Sequence, residues 1–96
     1  MLIPDYVPKF IRDVKKLRRK KYDIDKLFEV IRLVCNNDNE SIKILKQHHN
    51  MHTLKGNRSG LQECHVANAG DWLIVWETKG EIVHFLRTGS HDELFK

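Results

Sequence analysis

The stretch Leu61-Gln62-Glu63-Cys64-His65-Val66-Ala67-Asn68-Ala69-Gly70-Asp71-Trp72-Leu73-Ile74-Val75-Trp76-Glu77-Thr78-Lys79-Gly80-Glu81-Ile82-Val83-His84-Phe85-Leu86-Arg87-Thr88 decides the fold. Three runs within it, 61–66, 71–77 and 81–88, are rich in β-branched and aromatic residues. Ala67-Asn68-Ala69-Gly70 and Lys79-Gly80 separate them as turns, so each run reads as a strand. Links this short cannot cross over a sheet, which predicts antiparallel neighbours. Alternation places Leu61, Glu63 and His65 on one side of the first of these strands, and Gln62, Cys64 and Val66 on the other.

Helical spacing dominates upstream. Pro8 suits a first turn, and Phe10, Val14 and Leu17 recur at i, i+4 and i+7, with Ile11 widening the stripe. A second helix follows from Ile24, Leu27, Phe28, Ile31, Val34 and Cys35, with Asp23 as N-cap and Asn36-Asn37 as its end. Ile42 and Leu45 predict a short third helix over 40–47, and residues 2–6 an edge strand, where Pro4 costs no ladder bond. The chain from Gln47 to Gly60 reads as an irregular, basic, polar connection. The expected fold is α+β: two N-terminal helices packed on one face of a small twisted antiparallel sheet, in a single domain over 1–96. Two helices cover one face only, so the other should stay open and carry the chemistry.

Ninety-six residues suffice for one core, and 41% apolar with 31% charged residues places the chain among folded rather than disordered proteins. Its net charge is +4. Residues 9–21 hold eight basic side chains against Asp13 alone, a local +7, which leaves the remainder at −3. Such a face suits a polyanion or an acidic protein. Cys35 and Cys64 form neither a disulfide framework nor a metal-ligand spacing. The N-terminus lacks the pattern of a leader, and the longest apolar run, Leu73 to Trp76, is far too short to span a bilayer. A reduced cytoplasmic setting without membrane association is expected.

Six histidines is a high count for this length. Cleavage of RNA by its own 2′-hydroxyl needs a base, an acid and cations for the phosphorane, and histidine can act as either acid or base near neutrality. The segment from His52 onward offers His52, His65 and His91 with Lys55, Arg58, Arg87 and Asp71. Two other readings compete. His48 and His52 at i, i+4, with His49 between them, would make a metal pair on a helix, although Asn50 and Gly56 oppose a helix there. A Cys64–His65 dyad is disfavoured because adjacent strand residues point to opposite faces. His84 reads as a packed or rim residue. Trp72 and Trp76 share a face and could stack on bases, with burial favoured for Trp76.

The segments His52-Thr53-Leu54-Lys55-Gly56, Glu63-Cys64-His65-Val66, Asp71-Trp72 and Arg87-Thr88-Gly89-Ser90-His91-Asp92-Glu93-Leu94-Phe95 resemble, in this order, the motifs of YafQ-type toxins of the RelE/ParE toxin–antitoxin superfamily. The resemblance implies a RelE-like microbial ribonuclease fold and an endoribonuclease that cuts mRNA on the ribosome without cofactor or metal. It implies an acidic antitoxin as partner and, through that antitoxin, contact with operator DNA. It makes His91 the proton donor and places His52, His65 and Asp71 in the catalytic site. Arg87 falls at the phosphate, with Trp72, Phe95, Lys55 and Arg58 as substrate contacts. The sequence departs from the pattern at Gln62, where an arginine is usual, and Arg58 or Lys55 could supply that cation. The ParE branch of the superfamily offers the alternative of a non-catalytic toxin that binds a topoisomerase.

Overall fold

The computed structural model describes residues 1–56, 60–67 and 70–95. Within them the order is β1 (Ile3–Tyr6), α1 (Pro8–Arg19), α2 (Ile24–Asn36), α3 (Asn39–His48), β2 (His52–Thr53), β3 (Gln62–His65), β4 (Leu73–Lys79), β5 (Ile82–Gly89) and α4 (His91–Phe95). The strands of the described residues form one sheet in the order β1-β5-β4-β3-β2. The α+β class holds, and the meander β3-β4-β5 is antiparallel as expected.

The sheet as a whole is mixed. β1 runs parallel to β5, with Ile3 opposite Ile82 and Tyr6 opposite Phe85. This corrects the expectation of an all-antiparallel sheet. All of α1, α2, α3, β2, β3 and β4 lies between β1 and β5, a connection long enough for the crossover that parallel pairing demands. A further correction is α4, a five-residue helix at the chain end too short to show a period. The polar connection also contains a strand, the two-residue β2, which the irregular reading omitted.

The core explains the helix positions. Phe10 and Leu17 of α1, Leu27, Val30, Ile31 and Val34 of α2, and Leu45 of α3 pack with Cys64, Ile74, Trp76, Val83 and Phe85 of the sheet. The helical stripes read from the sequence are thus the buried stripes, except that Phe28 and Ile11 stay exposed. α1 starts at Pro8, whose missing N–H costs nothing in a first turn. α2 ends at Asn37 in the left-handed conformation, φ 52°, which asparagine tolerates. α3 starts at Asp38, whose Oδ1 accepts from the Ser41 amide at 2.7 Å.

A bulge in β5 determines what its end presents. Trp76 lies opposite Phe85 and Val75 opposite Arg87, so Leu86 has no partner across the ladder. In a regular strand Arg87, two positions after Phe85, would share its core-facing phase. The bulge instead brings Thr88 opposite the core residue Ile74. There Thr88 Oγ1 accepts from Trp72 Nε1 at 2.9 Å and donates to the Leu73 carbonyl at 2.8 Å.

Candidate active site

Register gathers residues that are far apart in the chain. His52 lies opposite Glu63, Glu63 opposite Val75 and Val75 opposite Arg87, one row across four strands. His65, Leu73 and Gly89 form the next row on the same side. Cys64 and Ile74, between these rows, point into the helix-covered core. The chemistry-bearing row therefore occupies the face away from the helices, as the alternation of β3 implied. That face is not bare. Leu73, Val75 and Glu63 on it are all buried, and a cavity of about 240 Å³ is walled by Leu54, Lys55, Glu63, His91 and Phe95.

His91 is the best-anchored of the histidines. Asp71 Oδ1 accepts from the His91 backbone amide at 3.0 Å and from its ring Nδ1 at 2.5 Å. The amide bond first, and the ring bond with it, hold the Asp71 carboxyl below the usual carboxylate range. A carboxylate can only accept, so Nδ1 carries a proton and Nε2 is the nitrogen free to transfer one. The His65 ring sits edge-on to His91 with centroids 6.2 Å apart, and the Phe95 ring lies 6.2 Å away on the same helix as His91.

His52 is oriented in a similar way. α3 stops at His48 and Asn50 adopts φ 53°, so His52 falls on β2 rather than on a helix turn with His48. The i, i+4 metal pair is not formed. His52 Nδ1 faces the Asn50 carbonyl at 2.9 Å, a contact only Nδ1–H can make as a hydrogen bond. Nε2 then lies 3.4 Å from Glu63 Oε1, a carboxylate only 4% exposed. The sequence alone does not single out Glu63 as a site residue. Its burial follows from its place between β2 and β4, which only the register reveals. His49 Nδ1 meets the His65 carbonyl at 2.8 Å and braces β3 beneath the His65 ring. His84 pairs with Asp5 at the sheet edge, a rim position as read.

A family described as the bacterial toxin of the type II toxin–antitoxin system, YafQ, matches residues 3–96. The chain belongs to the YafQ toxin family. It is 29% identical over 91 residues to the mRNA interferase toxin YafQ of Escherichia coli K12, spanning 95% of this chain and 92% of that one. Its fold is similar to that of a copper-bound mutant toxin from Helicobacter pylori, with a TM-score of 0.86, 32% identity and coverage of 99% and 100% of the two chains. It is similar also to YafQ in the E. coli DinJ–YafQ complex, with a TM-score of 0.83, 27% identity and full coverage of both chains.

Set against the YafQ motifs, the positions separate into two groups. His52, His65, Asp71, His91, Phe95 and Lys55 converge on or beside the cavity face. Trp72 does not, and its expected role as a substrate contact needs correction. It is 6% exposed, packs edge-on against Tyr22 at 5.0 Å and spends its Nε1–H on buried Thr88. Arg87 lies in the row of His52 and Glu63, yet its guanidinium is held by Asp13 of α1, with Nε to Oδ2 at 2.7 Å and Nη2 to Oδ1 at 3.2 Å. Gln62, at the place of the usual YafQ arginine, exchanges hydrogen bonds with Thr53 at 2.9 and 3.2 Å. Arg58 and the tip of the turn before Asp71 lie outside the described residues. Among the described residues no His, Cys, Asp and Glu side chains group as three or more possible metal ligands, and no helix is long and apolar enough to cross a membrane.

Proposed function

We propose that this YafQ-family toxin is a RelE-like endoribonuclease that cleaves mRNA on the ribosome by histidine acid–base chemistry, with no metal step. The observation that carries the reading is His91, whose Nδ1 is fixed on Asp71 while its ring borders a cavity shared with Lys55, Glu63 and Phe95. The base acts at the His52–Glu63 pair. His52, with its Nδ1 on a carbonyl, takes the 2′-hydroxyl proton at Nε2, and buried Glu63 stabilises the imidazolium formed. The 2′ oxygen attacks phosphorus, the P–O5′ bond breaks and a 2′,3′-cyclic phosphate results. His91 Nε2–H supplies the proton to the departing 5′ oxygen, and Asp71 offsets the charge the ring carries beforehand. Lys55, at the cavity wall, balances charge on the phosphorane. The Phe95 ring offers a stacking surface for a base, taking the part expected of Trp72.

The partner is an acidic antitoxin. The basic side chains of residues 9–21 are all exposed to solvent. Lys15 and Arg18 rim a groove of about 230 Å³ floored by Tyr6, Phe10, Ile11, Val14 and Phe28, which suits a chain with apolar and acidic residues in alternation. The names of the similar E. coli proteins, an mRNA interferase and its complex with DinJ, support the coarser reading of an RNA-cutting toxin with a protein partner.

The test uses toxin stripped with EDTA, then mixed with intact, magnesium-containing, mRNA-programmed ribosomes. Cleavage should persist with 2′,3′-cyclic or 3′-phosphate ends. Replacing His91 with Ala should lower single-turnover cleavage by roughly 10²-fold or more, the usual worth of a general acid, with thermal melting unchanged. A strict need for an added transition metal, or 3′-hydroxyl ends, would refute the mechanism.

A further inference from the structure

α4 presents a physical problem. It is five residues long, none of them buried, and it carries His91. A helix of this length does not hold its shape by its own hydrogen bonds. Two residues ahead of it, Gly89 has φ 153°, a conformation side chains rarely adopt, and the chain turns there. The His91 ring nevertheless has to meet a phosphate in one position.

Besides the Asp71 bonds to His91, two sets of bonds reach this end. Within α4, the Ser90 amide donates to Glu93 Oε1 at 3.1 Å and the Glu93 amide donates to Ser90 Oγ at 3.2 Å, a reciprocal capping box. Glu93 Oε2 then reaches Lys16 Nζ on α1 at 2.8 Å, with Lys20 Nζ at 3.9 Å. One turn earlier on the same helix, Asp13 accepts from the Arg87 guanidinium and, at 3.1 Å, from the Thr88 amide. Asp13 and Lys16 are three apart and so lie on one face of α1. They grip the chain on both sides of the Gly89-Ser90 turn. Space is tight as well, since a Cβ at Gly89 would sit 3.2 Å from Glu93 Oε1.

We infer that α1 clamps the His91 end of the site, and that Glu93, held by Lys16, is a positioning residue for His91, with Asp13 securing the strand side. The inference rests on the reading of His91 as the general acid. Glu93 does not touch RNA in this scheme. It closes α4 through one carboxylate oxygen and ties it to the body of the protein through the other. Lys16 is 56% exposed in its side chain, so the link adds little to global stability. Placement matters far more, because a displacement of about 1 Å in a reacting group costs on the order of 10²-fold in rate.

The experiment compares Glu93→Gln, Glu93→Ala, Lys16→Met and Glu93→Gln/Lys16→Met in the full-length toxin. Readouts are single-turnover cleavage of ribosome-bound mRNA, half-saturation in ribosomes, thermal melting, and NMR hydrogen exchange of the His91 amide that donates to Asp71. Glu93→Ala should slow cleavage by roughly 10- to 100-fold, with half-saturation almost unmoved, melting lowered by no more than about 5–10 °C and His91 amide exchange accelerated. Glu93→Gln keeps the capping box and should lose less. The double variant should be no slower than the worse single one, since both remove one link. Unchanged His91 amide exchange in Glu93→Ala would overturn the clamp, whatever the activity, as would rate losses that simply add. Faster exchange in a protein whose cleavage is indifferent to His91→Ala would uphold the clamp and reject His91 as the acid.

Discussion

Replacing Thr88 with Val tests whether the β5 bulge sets the interior beneath the site. Valine keeps the shape and the β-branching but has no hydroxyl. In the native protein that hydroxyl accepts from Trp72 Nε1 and donates to the Leu73 carbonyl, and Thr88, Trp72 and Leu73 are 2%, 6% and 0% exposed. Water cannot replace the lost partner. A buried indole N–H left unpaired costs about 1–3 kcal/mol, and the Leu73 carbonyl loses one of its donors. The extra buried methyl returns somewhat under 1 kcal/mol. The net expectation is a loss of about 2 kcal/mol, which for a domain of this size lowers Tm by roughly 10 °C. Urea unfolding followed by far-ultraviolet circular dichroism should show a lower midpoint with an unchanged slope. Thr88→Ser, which keeps both hydrogen bonds and loses one methyl, should cost about 1 kcal/mol. If Thr88→Val is neutral or stabilising, or Thr88→Ser is the worse of the two, the hydroxyl bridge is not what holds Trp72 in the core.

Two further outcomes follow from charge. Lys16, beside Glu93, holds that carboxyl down to about 2 from its ordinary value of 4.5. A depressed carboxylate contributes stability above its unfolded pKa and loses it as pH falls. The advantage of wild type over Glu93→Gln, about 1 kcal/mol for so exposed a pair, should therefore be complete at pH 6 and vanish between about pH 4.5 and 2; a difference that persists at pH 2 in urea unfolding contradicts the ion pair. Reversing Lys15, Arg18 and Arg19 to Glu should weaken antitoxin binding and flatten its dependence on salt in titration calorimetry, and an unchanged affinity and slope would assign this face to the ribosome alone.

Much of the protein was legible in its sequence. Local periodicity identified α1, α2 and the three meander strands, because the apolar side of each element must be buried whatever its neighbours are. The same alternation put Glu63 and His65 on the face opposite Cys64. His91 was legible from its place after Gly89, and the serine-to-glutamate spacing of Ser90 and Glu93 already spelled a capping box, the one signal from which α4 could have been found. What periodicity cannot report is how elements pair. The parallel seat of β1 beside β5, the row His52, Glu63, Val75 and Arg87, and the bulge at Leu86 are decided by the packing of the whole sheet on α1 and α2. Tertiary structure alone therefore withdrew Trp72 into the core, handed Arg87 to Asp13 and buried Glu63 beside His52. A side chain's period names the face it occupies on its own element, while its chemistry depends on the partner that register and packing bring against it.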